Sequence, residues 1–254
     1  MLRDLAADLA CGLDPALFAE DRLGFHPDPW QAQLLRSDAR QIILNCCRQA
    51  GKSTATAIAA LHTALYQPAA LILLVSPSLR QSRELFGKVT DFLRALEPVQ
   101  PLDEDNRLSC TLGNGSRIVS LPGDARTVRG FSAPALVIED EAAYVDDELY
   151  NALRPMLAVS QGRLVLLSTP NGRRGHFCDI WHSGEGWRRI AIAGRDCPRI
   201  SPEFLDAEHK ALGPMVFEQE YCGQFIDAAS SAFASELVEL ALVDDFEPFL
   251  AAAA

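Results

Sequence analysis

Short unbroken apolar runs alternate along this chain with longer segments whose apolar residues recur every three or four positions. The runs are QIILNC (41–46), ALILLVSP (70–77), PALVIEDE (134–141), GRLVLLSTP (162–170) and GWRRIAIAG (186–194). Runs of that length predict strands buried on both faces, and the segments between them predict covering helices. The clearest of these helices are KSTATAIAALHTALY (52–66), LRQSRELFGKVTDFLRAL (79–96) and DELYNALRPMLA (147–158). One stretch has a two-residue period: RLSCTLGNGSRIVSL (107–121) predicts a β-hairpin turning at Gly113-Asn114-Gly115. Residues 1–24 read as one or two amphipathic helices, and 202–225 as two short ones. The expected fold is therefore α/β: a mostly parallel central sheet in a three-layer αβα arrangement. It should occupy residues 1–226, with 1–24 as a helical extension and about 195–225 as lid helices. Residues 227–254 carry no further strand series and read as a linker or tail.

Composition changes this picture little. Hydrophobic residues make up 48% and charged residues 22%, ordinary for a packed domain. No apolar run reaches the ~18 residues of a membrane span, and the first residues do not read as a signal peptide. The seven cysteines lack metal-ligand spacing, which points to reduced thiols in a cytosolic setting. A net charge of −11 argues against coating nucleic acid through the overall field. Only local arginine clusters, in GRRGHF and GWRRIAIAGR, could touch a phosphate backbone.

The chemistry concentrates where strands end. After QIILNC comes a loop closing on Ala50, Gly51, Lys52, Ser53 and Thr54, and then a helix. Such a turn points backbone N–H groups and a helix N-terminus at phosphate, with the lysine reaching the β- and γ-phosphates and the serine hydroxyl serving Mg²⁺. The loop is unusual in holding Cys46 where a small opening residue is expected, and Arg48 and Gln49 inside it. The run LVIED ends in acids: Asp140 is placed to organise Mg²⁺ and Glu141 to align the attacking water. Side chains alternate along a strand, so Glu139 should face away from Asp140. Ser168 and Thr169 end another run and could couple phosphate loss to movement. Upstream, the Gln31 amide could both donate to and accept from an adenine edge.

Taken in order, WQ (30–31), CCRQAGKST (46–54), VRGF (128–131), LVIEDEAA (136–143), LLSTPNGRRGHF (166–177) and FEQEYCGQF (217–225) resemble the ATPase domain of the large terminase subunit, the DNA-packaging motor of tailed bacteriophages. The resemblance covers about residues 25–226 and implies a RecA-like P-loop fold. It makes Arg48 a normal feature of the loop and Arg129 the candidate group inserted into a neighbour's site, with Arg126 as fallback. It also implies a homo-oligomeric ring, double-stranded DNA as cargo, a portal protein and a small terminase subunit as partners, no membrane, and the host bacterial cytoplasm. The family's nuclease half has no counterpart here, and Asp244, Asp245 and Glu247 read as a solvated acidic run. Two alternatives are a superfamily 2 helicase-like ATPase, which would need a second RecA-like domain, and a nucleotide-binding assembly regulator with little turnover.

Overall fold

The computed structural model describes residues 2–96, 102–105 and 107–226, and in it every long apolar run becomes a strand. Helices α1 (Leu2–Leu13) and α2 (Pro15–Leu23) part at Asp14, whose carboxylate accepts from the Ala16 and Leu17 N–H groups while Pro15 opens α2. Next come α3 (Pro29–Leu35), β1 (Gln41–Cys46), α4 (Lys52–Tyr66), β2 (Leu71–Ser76) and α5 (Leu79–Ala95). They are followed by β3 (Leu102–Asp105), β4 (Ser109–Leu112), β5 (Arg117–Pro122), α6 (Ala125–Val128) and β6 (Leu136–Asp140). The chain continues through α7 (Asp147–Leu153), α8 (Leu157–Ser160), β7 (Arg163–Ser168), α9 (Gly175–Ser183) and β8 (Arg188–Ile192). It closes the described part with α10 (Pro202–Leu212) and α11 (Pro214–Cys222).

One sheet holds all eight strands in the order β3-β4-β5-β2-β6-β7-β1-β8. The six from β5 to β8 in that order are parallel, and β4 and β3 add an antiparallel edge. Alternation along the strands builds two cores. Ile42, Leu44, Ile72, Leu74, Leu136 and Ile138 pack with Leu34, Ile58, Leu61 and Leu85 of the α3–α5 layer. Ile43, Leu73, Val75, Val137, Leu164 and Leu166 pack the other way, against Val128, Leu149, Leu153 and Phe177 of the α6–α9 layer. Burial on both faces is why these strands read as continuous apolar runs.

The β4–β5 hairpin forms, but β5 also pairs in parallel with β2, so the hairpin extends the main sheet. Strand β3, with the sequence LDED, has no apolar signal and was not expected. The expected helix over 147–158 is three pieces, α7, a 3₁₀ turn Arg154–Met156, and α8. Pro155 has no N–H to donate and breaks the helical ladder there. The tail expected at 227–254, with Asp244, Asp245 and Glu247, lies outside the described residues.

Candidate active site

Adjacent strands β6, β7 and β1 end on the same side of the sheet, and the residues predicted to carry the chemistry lie at or just beyond their tips. The loop after β1 turns through two left-handed residues, Gln49 at φ 60° and Gly51 at φ 84°, before α4 begins at Lys52. At that φ glycine is strongly favoured at position 51, and a Cβ there would also press on the ends of the Arg199 and Gln31 side chains, 2.9 and 3.0 Å away. Cys46 fills a core position and is fully buried, as is Cys47. Burial pushes the Cys47 thiol up to about 12 and Cys46 higher still, so both stay protonated and packed.

Arg48, Gln49, Ala50, Gly51, Lys52, Ser53 and Thr54 line a cavity of about 430 Å³ together with Glu141, Thr169, Gln81, Lys88 and Tyr144. Lys52 Nζ lies 3.0 Å from Glu141 Oε1, and its side chain is 11% exposed. Burial would lower its pKa, but the charges of Glu141 and Asp140 hold it above the ordinary value. Glu141 is a left-handed residue at φ 55°, an uncommon conformation for a side chain with a Cβ. Its other oxygen accepts from Ser168 Oγ at 3.3 Å. Ser53 Oγ donates to Asp140 Oδ2 at 3.3 Å. Burial, and then the neighbouring Glu141 charge, lift the Asp140 carboxyl to about 6 against the pull of Lys52 and Ser53. Glu139 points through the opposite face, as alternation requires, and meets His176.

Three predicted residues stand apart from the cavity's centre. Arg48 lines it, but its Nε donates to Glu220 Oε2 at 2.6 Å and its backbone N–H to the Glu220 carbonyl at 3.0 Å. Gln31 lies behind the loop: its Oε1 accepts from the Asp28 N–H at 2.8 Å and its Nε2 donates to the Gly51 carbonyl at 3.3 Å. Arg129 faces a separate cavity, with Glu148, Asn151, Pro155 and Met156.

Sequence reasoning missed several neighbours. Gln81 and Lys88 are seven residues apart on the polar side of α5, and Lys88 Nζ donates to Thr54 Oγ1 at 3.3 Å. That helical spacing was a usable signal. Arg199 donates to Asp28 Oδ2 at 2.5 Å and to the Ala50 carbonyl, bracing the loop from a distant segment. Nothing local marks such a contact. The far end of α11 is stitched to the same region, with Asn45 Nδ2 donating to the Gly223 carbonyl at 2.7 Å and Gly172 N–H to Gln219 Oε1 at 3.3 Å.

The family described as terminase large subunit, T4likevirus-type, N-terminal, matches residues 43–240. The large terminase subunits of Thermus phage G20c and Thermus virus P23-45 are each 25% identical over 248 residues, covering 83% of this chain and 51% of their own. The chain thus spans about half the length of the curated relatives it matches. Among solved structures, the ATPase domain of the Thermus phage P74-26 large terminase superposes with a TM-score of 0.76 at 22% identity, over 84% of this chain and all of that one. The large terminase of bacteriophage HK97 gives 0.71 at 16% identity, over 84% and 55% of the two chains. A large terminase from a thermophilic bacteriophage, solved in complex with ADP, gives 0.61 at 12% identity, over 85% and 53%. These structures share the RecA-like P-loop fold. With the family match running through most of the sheet and all three strand tips, the chain belongs to the N-terminal domains of terminase large subunits, T4likevirus type.

Proposed function

We propose that this domain hydrolyses ATP, and that in a ring of like subunits it drives double-stranded DNA into a phage procapsid. The observation that carries the reading is the junction of Lys52, Glu141 and Ser168 beside Ser53 and Asp140, across three neighbouring strand tips. Lys52, the loop amides and the α4 N-terminus bind the triphosphate. Glu141, freed from Lys52 when phosphate takes its place, aligns and polarises water. Ser168 reports the state of Glu141 to the connection that leads into α9, and Thr169 lines the same cavity. Gln31 acts through the loop it supports, or on adenine once its amide is released.

Ser53 and Asp140 fit Mg²⁺, a hard cation that accepts one or two protein oxygens and keeps most of its water. Bound there, it supplies charge neutralisation at the β- and γ-phosphates. Arg129, outside its own chain's nucleotide cavity, acts on the γ-phosphate of a neighbour. A portal protein and a small terminase subunit are the expected partners, in the host bacterial cytoplasm. Among the described residues no helix is long and apolar enough to cross a membrane.

The test separates binding from turnover. Glu141→Gln should keep ATP binding, measured by equilibrium dialysis, while phosphate release drops by at least ~10²-fold. Equal phosphate release by wild type and variant would remove Glu141 from the chemistry and leave a nucleotide-binding role.

A further inference from the structure

On the far face of β6 from the nucleotide lies a second polar assembly. Glu139, the residue before Asp140, is fully buried, and its Oε1 lies 2.8 Å from His176 Nε2. His176 Nδ1 lies 3.0 Å from Asp147 Oδ1, and the same oxygen accepts the His176 backbone N–H at 2.7 Å. Tyr150, one turn further along α7, stacks on the imidazole at 4.7 Å and 7°. Both ring nitrogens face carboxylate oxygens, so the imidazole bridges the end of β6 to the start of α7.

The next residue of α7 looks outward. Glu148 follows Asp147, and its carboxylate lies 3.6 Å from Arg129 Nη2 at the end of α6. Leu149 and Leu153 of α7 pack in one core with Val128, the residue before Arg129. Helix α7 is therefore held at the β6 tip through its first residue and touches Arg129 through its second. His176 is also the second residue of α9, which follows the connection leaving Ser168 and Thr169.

We propose that Asp147 and His176 are positioning residues: they tie the β6 tip to α7 and so set how Arg129 is presented to a neighbouring subunit. The proposal rests on the reading of Arg129 as a group that acts in a neighbour's site. A change at Asp140 or Glu141 moves Glu139, the imidazole carries that movement to Asp147 and Tyr150, and α7 passes it to Arg129. One subunit's nucleotide state thereby governs the help it gives the next.

Mixing two disabled subunits tests this. Glu141→Gln keeps Arg129 but has no working site, whereas Arg129→Ala keeps the site but offers no arginine. Their mixture should hydrolyse ATP where neither does alone. Asp147→Ala is then added to one partner at a time. Asp147 is 58% exposed, so its removal leaves the core intact. In the arginine-giving subunit it should cut the restored rate about fivefold or more, and in the other subunit leave it within about twofold. Asp147→Asn, which keeps the acceptor oxygen, should recover most of the loss, and His176→Asn, checked for folding by circular dichroism, should repeat the asymmetry. Equal losses on both sides, or none, would overturn the proposal. A parent mixture with no restored turnover would overturn the reading of Arg129 and the proposal with it.

Discussion

The strand-tip cavity and the α6–α7 surface each pair a cation with a glutamate, under opposite conditions. Lys52 and Glu141 meet at 3.0 Å with side chains 11% and 23% exposed. Arg129 and Glu148 stand 3.6 Å apart at 64% and 75%. The first pair sits among buried Asp140, Ser168 and Thr169, where little solvent screens it. The second is loose and bathed in water, and such pairs are worth little. Exchanging Glu141 for a triphosphate is a substitution of one anion for another at a prepared lysine. Releasing Arg129 from Glu148 costs almost nothing. The first region suits a ligand the chain holds itself, the second a partner that arrives from outside.

Substitutions in the two regions should separate these roles. Lys52→Ala and Arg129→Ala should each lower turnover by ~10³-fold or more. Only Lys52→Ala should also weaken ATP binding, because Arg129 does not line its own chain's cavity. Equal weakening by both would erase the distinction.

A smaller effect concerns stability. Asp140 rises from its ordinary 3.8 to about 6, so the folded protein holds that proton more tightly than the unfolded chain. Its contribution is therefore fully present below about pH 4 and is lost as pH rises through about 6. Asp140→Asn, which never ionises, should be more stable than wild type without nucleotide or metal above that window, by up to ~3 kcal/mol. Below pH 4 the two should converge. Thermal melts between pH 4 and 8 measure the difference, and a gap that does not change with pH would contradict it.

The sheet and the strand-tip chemistry were legible because both are local. Strands covered on both faces leave unbroken apolar runs; Asp140 and Ser168 end theirs, and Lys52 opens the helix after the loop that follows β1. Alternation alone sends Glu139 away from Asp140. Strand β3 was hidden because an edge strand of sequence LDED is specified by its neighbour β4, not by a pattern of its own. Glu220, Arg199 and His176 were hidden for another reason. Each is brought by tertiary folding from more than thirty residues away, Glu220 and Arg199 to the loop as partners of Arg48 and Ala50, and His176 to the far face of β6 as the partner of Glu139. Arg129 was placed by resemblance alone; in the structure it is exposed and lies 3.6 Å from Glu148.

The central claim is that the site in one chain is incomplete without a second. Its most direct test is ATP turnover per subunit as a function of protein concentration, with Glu141→Gln as the blank and Arg129→Ala beside wild type. The account predicts a rate that climbs with concentration in wild type and stays at the blank in Arg129→Ala. A measurable rate that is flat across concentration and survives Arg129→Ala would contradict it, and would pass the arginine's role to Arg48 within the same chain.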